Sequence, residues 1–237
     1  MKNPVICKNC SEKNPLYAHI CSKCKYFLRD KVYNVDIWVT IGQIIESPTK
    51  AFLKIIFAEH KNFIVFLTIF FALRILVLSR FTSLFFTDSS TSAAPIIISY
   101  LISLTASAII YFVLSYISSV VLNRWEYIVR FKDVYSLNIY SNIPNILALF
   151  ILLPIELIVF GNYLFSNNPN PFQVKETFAY ILSSFELGII LWSVILNYKA
   201  MKTLINNNSA ALLISSIHLI FFITLIIALS FILFSID

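Results

Sequence analysis

Apolar residues in this chain arrive in long unbroken blocks, neither alternating as a half-buried strand would nor forming the single stripe of a soluble helix. Five such blocks span residues 62–80, 95–122, 143–165, 178–196 and 210–235. Each is long enough to cross about 30 Å of hydrocarbon as a helix. Pro95 opens the second block, whose length lets it tilt, and the third has Pro144 at its start and Pro154 within it. The fourth, FAYILSSFELGIILWSVIL, carries Glu186 near its centre. Its eleven Phe, Ile, Leu and Val residues favour insertion by about 3–6 kcal/mol, against a cost of about 3 kcal/mol for a central carboxyl. Insertion wins. The fifth is apolar apart from His218 and scattered Ser and Thr. Residues 86–94, FTDSSTSAA, read as a flexible outer loop, and no internal repeat stands out.

Ahead of the first block the pattern changes to a helical period. Ile37, Trp38, Ile41, Ile44 and Ile45 share one face, and Phe52, Ile55 and Ile56 share another after Ser47 as N-cap and Pro48 at the first helical position. Two short amphipathic helices are predicted. They either lie in the headgroup layer, with Trp38 as anchor and Lys50, Lys54 and Lys61 toward anionic lipid, or pack on the span bundle. The predicted organisation is a small ribbon over 1–30, an amphipathic linker over 31–61 and a five-span domain over 62–237. The fold class is all-α, a five-helix transmembrane bundle with a small ribbon at its N-terminus.

Composition agrees with the pattern: 59% of residues are hydrophobic, 13% are charged and the mean hydropathy is +0.82, which excludes an ordinary soluble domain. The net charge of +6 would suit nucleic acid if it formed one basic face, but it follows the spans instead. Segments between blocks carry 10, 1, 3, 1, 2 and 0 Lys or Arg in chain order. That alternation predicts a cytoplasmic N-terminus and an outer C-terminus. The N-terminus lacks the basic, apolar and small-residue order of a cleavable leader, so residues 1–61 are expected in the reducing cytoplasm.

There, CKNCSEKNPLYAHICSKC (7–24) reads as metal chemistry and not as disulfides. Two Cys-x-x-Cys pairs ten residues apart match a zinc ribbon, in which Cys7, Cys10, Cys21 and Cys24 close a tetrahedron and leave no open position. Such a site is structural, giving a short chain folding energy that its own core would not supply. A redox pair is the weaker reading, because neither pair sits in a strand–helix setting. His19 is left outside the ligand set, since four sulfurs fill it.

Four ionisable residues fall inside the blocks: Arg74, Glu156, Glu186 and His218. Counted from the cytoplasmic ends at about 1.5 Å per residue, they lie roughly 18, 20, 15 and 12 Å deep, a polar layer near the midplane. Three readings apply: an Arg–Glu pair that fixes helix packing beside a neutral carboxyl, a site for an ion, proton or lipid headgroup, or snorkelling toward the interface. A neutral Glu186 would tolerate replacement by Gln. Ser183, Glu186, Ser193 and Asn197 form an inward stripe on the fourth block, and Ser99, Ser103 and Ser107 recur every four residues on the second, allowing close helix approach.

No enzyme signature is present. Three glycines, Gly42, Gly161 and Gly188, make no phosphate loop, and His19, His60 and His218 are scattered.

The C-x-x-C…N-P…C-x-x-C head, the segment IIESPTKAFLKIIFAEHKNF (44–63) and the five spans together resemble prokaryotic members of the Yip-domain family, relatives of the Ypt-interacting membrane proteins. SPTKAF is similar to that family's Ser-Pro-x-x-Ala-Phe stretch before the first span. YSNIPNILALF (140–150) and LWSVILNYKAMK (191–202) are similar to segments flanking its third and fourth spans. Ser11 and Lys25 depart from the Gly that ribbons of this kind often carry. For eukaryotic relatives the resemblance implies binding of small GTPases and shaping or sorting of membranes; for prokaryotic members it implies architecture, with no functional residues beyond the four cysteines. A fainter resemblance, through LRDKVYNVDIW (28–38), is to the Arv lipid-homeostasis family. Two functions are therefore expected to compete. One is a non-enzymatic membrane-organising protein that docks a cytoplasmic or membrane protein partner through its ribbon. The other is a small transporter or lipid-handling protein that uses Arg74, Glu156 and Glu186. Nucleic-acid binding through Lys8, Lys23, Lys25, Arg29 and Lys31 ranks below both.

Overall fold

A computed structural model describes residues 2–31, 33–85, 95–166 and 168–234. The chain opens with a two-stranded antiparallel hairpin, β1 (Val5–Ile6) and β2 (Lys13–Asn14), in which Ile6 faces Lys13. Nine α-helices follow among the described residues: α1 (Ile37–Glu46), α2 (Pro48–Phe57), α3 (Ile64–Ser83), α4 (Ile96–Arg124), α5 (Phe131–Tyr140), α6 (Ile143–Phe160), α7 (Pro171–Val174), α8 (Glu176–Ile205) and α9 (Asn208–Phe234). A 3-10 turn, Gly161–Phe165, ends α6. The expected outer loop 86–94 lies outside the described residues.

Among the described residues, five helical segments are long and apolar enough to cross a membrane: α3, α4, α5 through the 3-10 turn (Phe131–Phe165), α8 and α9. The third begins earlier than its hydropathy block. Residues 131–140 read as part of a polar connection, yet they form α5, because their polar groups find partners: Asp133 accepts from Arg130, Asn138 donates to Ser115 at 2.8 Å and Ser136 bonds back to Asp133. α8 likewise runs beyond 178–196 at both ends.

Local chemistry sets the short helices. Asp36 caps α1 by accepting from the Val39 N–H at 2.9 Å. Ser47 occupies the N-cap of α2 without a side-chain bond, and Pro48 starts the helix where no N–H is required. Asn170 and Gln173 form a reciprocal capping box at α7.

Two compact units make up the chain. The first gathers residues 1–64, 111–141 and 195–217. Within it Ala51, Phe52, Ile55 and Ile56 of α2 are buried, and α2 packs against α5, whose Val134, Leu137 and Tyr140 are buried. Packing on protein thus holds for α2, whereas Trp38 and Val39 of α1 stay exposed. The side chain of Lys61, expected to face lipid, is turned inward and only 5% exposed. It pairs with Asp133 at 2.9 Å and donates to the carbonyls of Ile55 and Ile56, capping the last turn of α2.

The second unit comprises 65–110, 142–194 and 218–237. Phe81, Leu152, Phe160, Leu164, Ala179 and Leu182 form its apolar cluster. The pattern along α4 is inverted relative to a soluble helix: Ser99, Ser103 and Ser107 are buried while Ile96, Ile97, Leu101 and Ile109 are exposed. Small residues inside and large apolar ones outside suit lipid as the solvent. Ser103 uses the close approach to donate to the Ala72 carbonyl at 2.8 Å.

Candidate metal centre and intramembrane charges

The ribbon is built from one small device used twice. In the first knuckle the Ser11 N–H bonds the Cys7 carbonyl at 2.9 Å and the Cys7 N–H bonds the Glu12 carbonyl at 2.9 Å. In the second, the Lys25 N–H bonds Cys21 and the Cys21 N–H bonds Tyr26 in the same way. The hairpin pair Ile6 and Lys13 recurs as the bridge Ile20 and Phe27. Fourteen residues therefore repeat, a periodicity hidden because only the sulfurs and a preceding isoleucine are shared. Ser11 and Lys25 adopt φ of +57° and +60°. These are the left-handed positions where Gly is the easy choice, and here two residues with a Cβ occupy them.

The knuckles bring all four sulfurs within 4.8 Å of one another, with Cys7 and Cys24 3.5 Å apart and Cys10 and Cys21 3.6 Å apart. A tetrahedron of thiolates about 2.3 Å from a central ion has edges of about 3.8 Å, so the donor set fits a metal ion. The Cys24 N–H, with help from Lys23 and the Asn14 amide, holds the Cys21 thiol low, at about 6. The Tyr26 N–H does likewise for Cys24. Asn14, absent from the expected ligand set, braces the site: buried at the end of β2, it donates to the Cys21 sulfur at 3.5 Å and accepts from the Ser22 N–H at 2.9 Å. Its place in the N-P step between the two pairs was the only clue. His19 stacks edge-on against Phe27, outside the sulfur cluster.

Within the first unit the ribbon is fastened, not tethered. The Lys2 N–H bonds the Glu126 carbonyl at 2.9 Å, and the Asn3 amide bonds the Leu204 carbonyl at 2.7 Å at the end of α8. Arg29 lies over the Phe57 ring and Arg130 over the Tyr17 ring, at 3.9 and 4.1 Å.

In the second unit Arg74 of α3 is wholly buried and forms an ion pair with Glu186 of α8. Glu186 is therefore the paired carboxyl and Glu156 the extra one. Glu156 of α6 is also wholly buried, beside Glu186 and within electrostatic reach of Arg74. His218 is buried but lines a small cavity with Asn142, Asn145 and Ser193. There Asn145 donates to Ser193 at 2.9 Å and to Asn142 at 3.2 Å. The predicted polar layer thus resolves into an ion pair with a second carboxyl beside it, and a histidine set among amides and a hydroxyl. A further cation, Arg80, lies nearer the end of α3, donates to the Phe165 carbonyl at 2.6 Å and lies over Phe234.

No curated protein and no solved structure matches this chain. The family model described as Yip1 domain matches residues 42–229, from within α1 through most of α9. Since that stretch holds the amphipathic lead-in and all five apolar helical segments, with the cysteine knuckles placed before it, the chain belongs to the Yip1 domain family.

Proposed function

We propose that this chain is a non-enzymatic, multi-pass protein of a prokaryotic inner membrane that docks a protein partner through a cytoplasmic, zinc-braced ribbon. Four soft thiolates without an open position favour a structural zinc ion, which supplies folding energy to a hairpin too small for a core. Lys and Arg concentrate in residues 1–61, the distribution expected of a cytoplasmic N-terminus. The observation that carries the reading is the ribbon's outer surface: Ile6 and Phe27 are 60% and 59% exposed, with Ile20 and Tyr26 also exposed. Apolar groups held outward by a rigid metal knuckle, among Lys8, Lys13, Lys23 and Lys25, fit a partner with an apolar spot rimmed by carboxylates. A photocrosslinker placed at Ile20 in intact cells tests this. One protein captured by the natural sequence and lost on Phe27→Asp is the expected result; crosslinks to lipid alone end the reading.

A second reading rests on Glu156, a buried carboxyl beside an ion pair that already neutralises Arg74. Such a group is a candidate site for a proton, a cation or a lipid headgroup. Transport or lipid phenotypes that follow Glu156→Gln and Glu186→Gln but survive deletion of the ribbon favour it over docking.

A further inference from the structure

We propose that the cavity bounded by Tyr17, Arg29, Lys31, Phe57 and Arg130 is a binding site for a phosphate-class oxyanion. It encloses about 280 Å³, and His19 and Glu59 complete its polar lining. Three of its groups are fixed cations and one is a carboxylate, so the lining is short of negative charge.

Arg29 is the central observation. Its Nη2 is used twice, donating to the carbonyls of Tyr17 and Ala18 at 2.7 and 2.8 Å. Its Nε and Nη1 are buried and have no hydrogen-bond partner among the described residues. Stacking on Phe57 covers one face of the guanidinium. Buried guanidinium donors are costly unless an acceptor meets them, and a tetrahedral oxyanion offers acceptors in several directions. Burial first, and the neighbouring Arg130 cation second, push the Arg29 pKa down against a weaker opposing pull from Asp133. Arg130 is held in place by Asp133 at 2.8 and 3.0 Å and by the Ile56 carbonyl, so the second cation is positioned in advance. Asp133 is itself shared with Lys61, so its charge is divided between two cations.

The cavity's position bears on the ligand's source. Phe57 ends α2, and the first apolar helix starts at Ile64. That places the site at the foot of a span, the level of lipid phosphates, while its ribbon side opens the same chemistry to a soluble phosphate.

The test uses the purified full chain at physiological ionic strength. One arm records lipid retained from nanodiscs of phosphatidylglycerol or of phosphatidylcholine by native mass spectrometry; the other measures inorganic phosphate by equilibrium dialysis. Lys31→Glu is the main variant, because Lys31 lines the cavity and is exposed. Arg29→Lys is the second, with bound metal as the check that the ribbon is intact. The expected result is one oxyanion per chain in at least one arm, weakened about ten-fold by Lys31→Glu with metal content unchanged. Retention of phosphatidylglycerol alone identifies a headgroup, and uptake of phosphate alone identifies a soluble anion. Equal binding by the natural and both variant chains, or none in either arm, overturns the proposal.

Discussion

At the scale of single residues, the outcome turns on which carboxyl Arg74 chooses. Depth along the helices put Glu156 and Glu186 at similar levels, so residue counting had no means of ranking them. Azimuth around α6 and α8 decides, and azimuth comes from packing. Because Glu186 is the partner, Glu186→Gln leaves a buried guanidinium without its counter-charge and is expected to cost about 3–5 kcal/mol. Glu156→Gln breaks no ion pair among the described residues and is expected to change stability by less than about 1 kcal/mol. Thermal unfolding of the two variants in one detergent checks both, and equal losses would contradict the assignment. Lys61 teaches the same point: its neighbours in sequence read as a lipid-facing surface, but Asp133, far along the chain, draws it inside.

Among the elements, α4 shows how a serine stripe becomes a contact. The four-residue spacing of Ser99, Ser103 and Ser107 was readable, and the structure buries all three while large apolar residues point outward. What spacing alone does not reveal is the acceptor, the Ala72 carbonyl of α3. Ser103→Ala keeps the small volume and is expected to cost under about 1 kcal/mol. Ser103→Leu forces helices apart at a fully buried position and is expected to cost about 1–3 kcal/mol. Melting temperatures of the pair distinguish packing from hydrogen bonding. α5 was the element that pattern reading missed, because its Lys, Asp, Ser and Asn residues resemble a connection until their partners are known.

For the molecule as a whole, two properties invite direct measurement. Replacing Cys7 and Cys21 by Ser is expected to abolish stoichiometric metal and to open residues 2–31 to protease, while the apolar helices stay protected; metal analysis with limited proteolysis follows both. An external protease on sealed cells is expected to spare the ribbon, and a reporter fused after Asp237 is expected to lie outside. Five apolar helical segments and the meeting of four sulfurs were determined by the sequence itself, because hydrophobic length and Cys-x-x-Cys spacing are local quantities. Only the tertiary structure decided that Glu186 pairs with Arg74, that His218 sits among amides, that Lys61 turns inward and that Arg29 and Arg130 line one cavity. Those outcomes depend on the rotation of helices about their axes and on contacts between distant residues, and no periodicity along one chain encodes either.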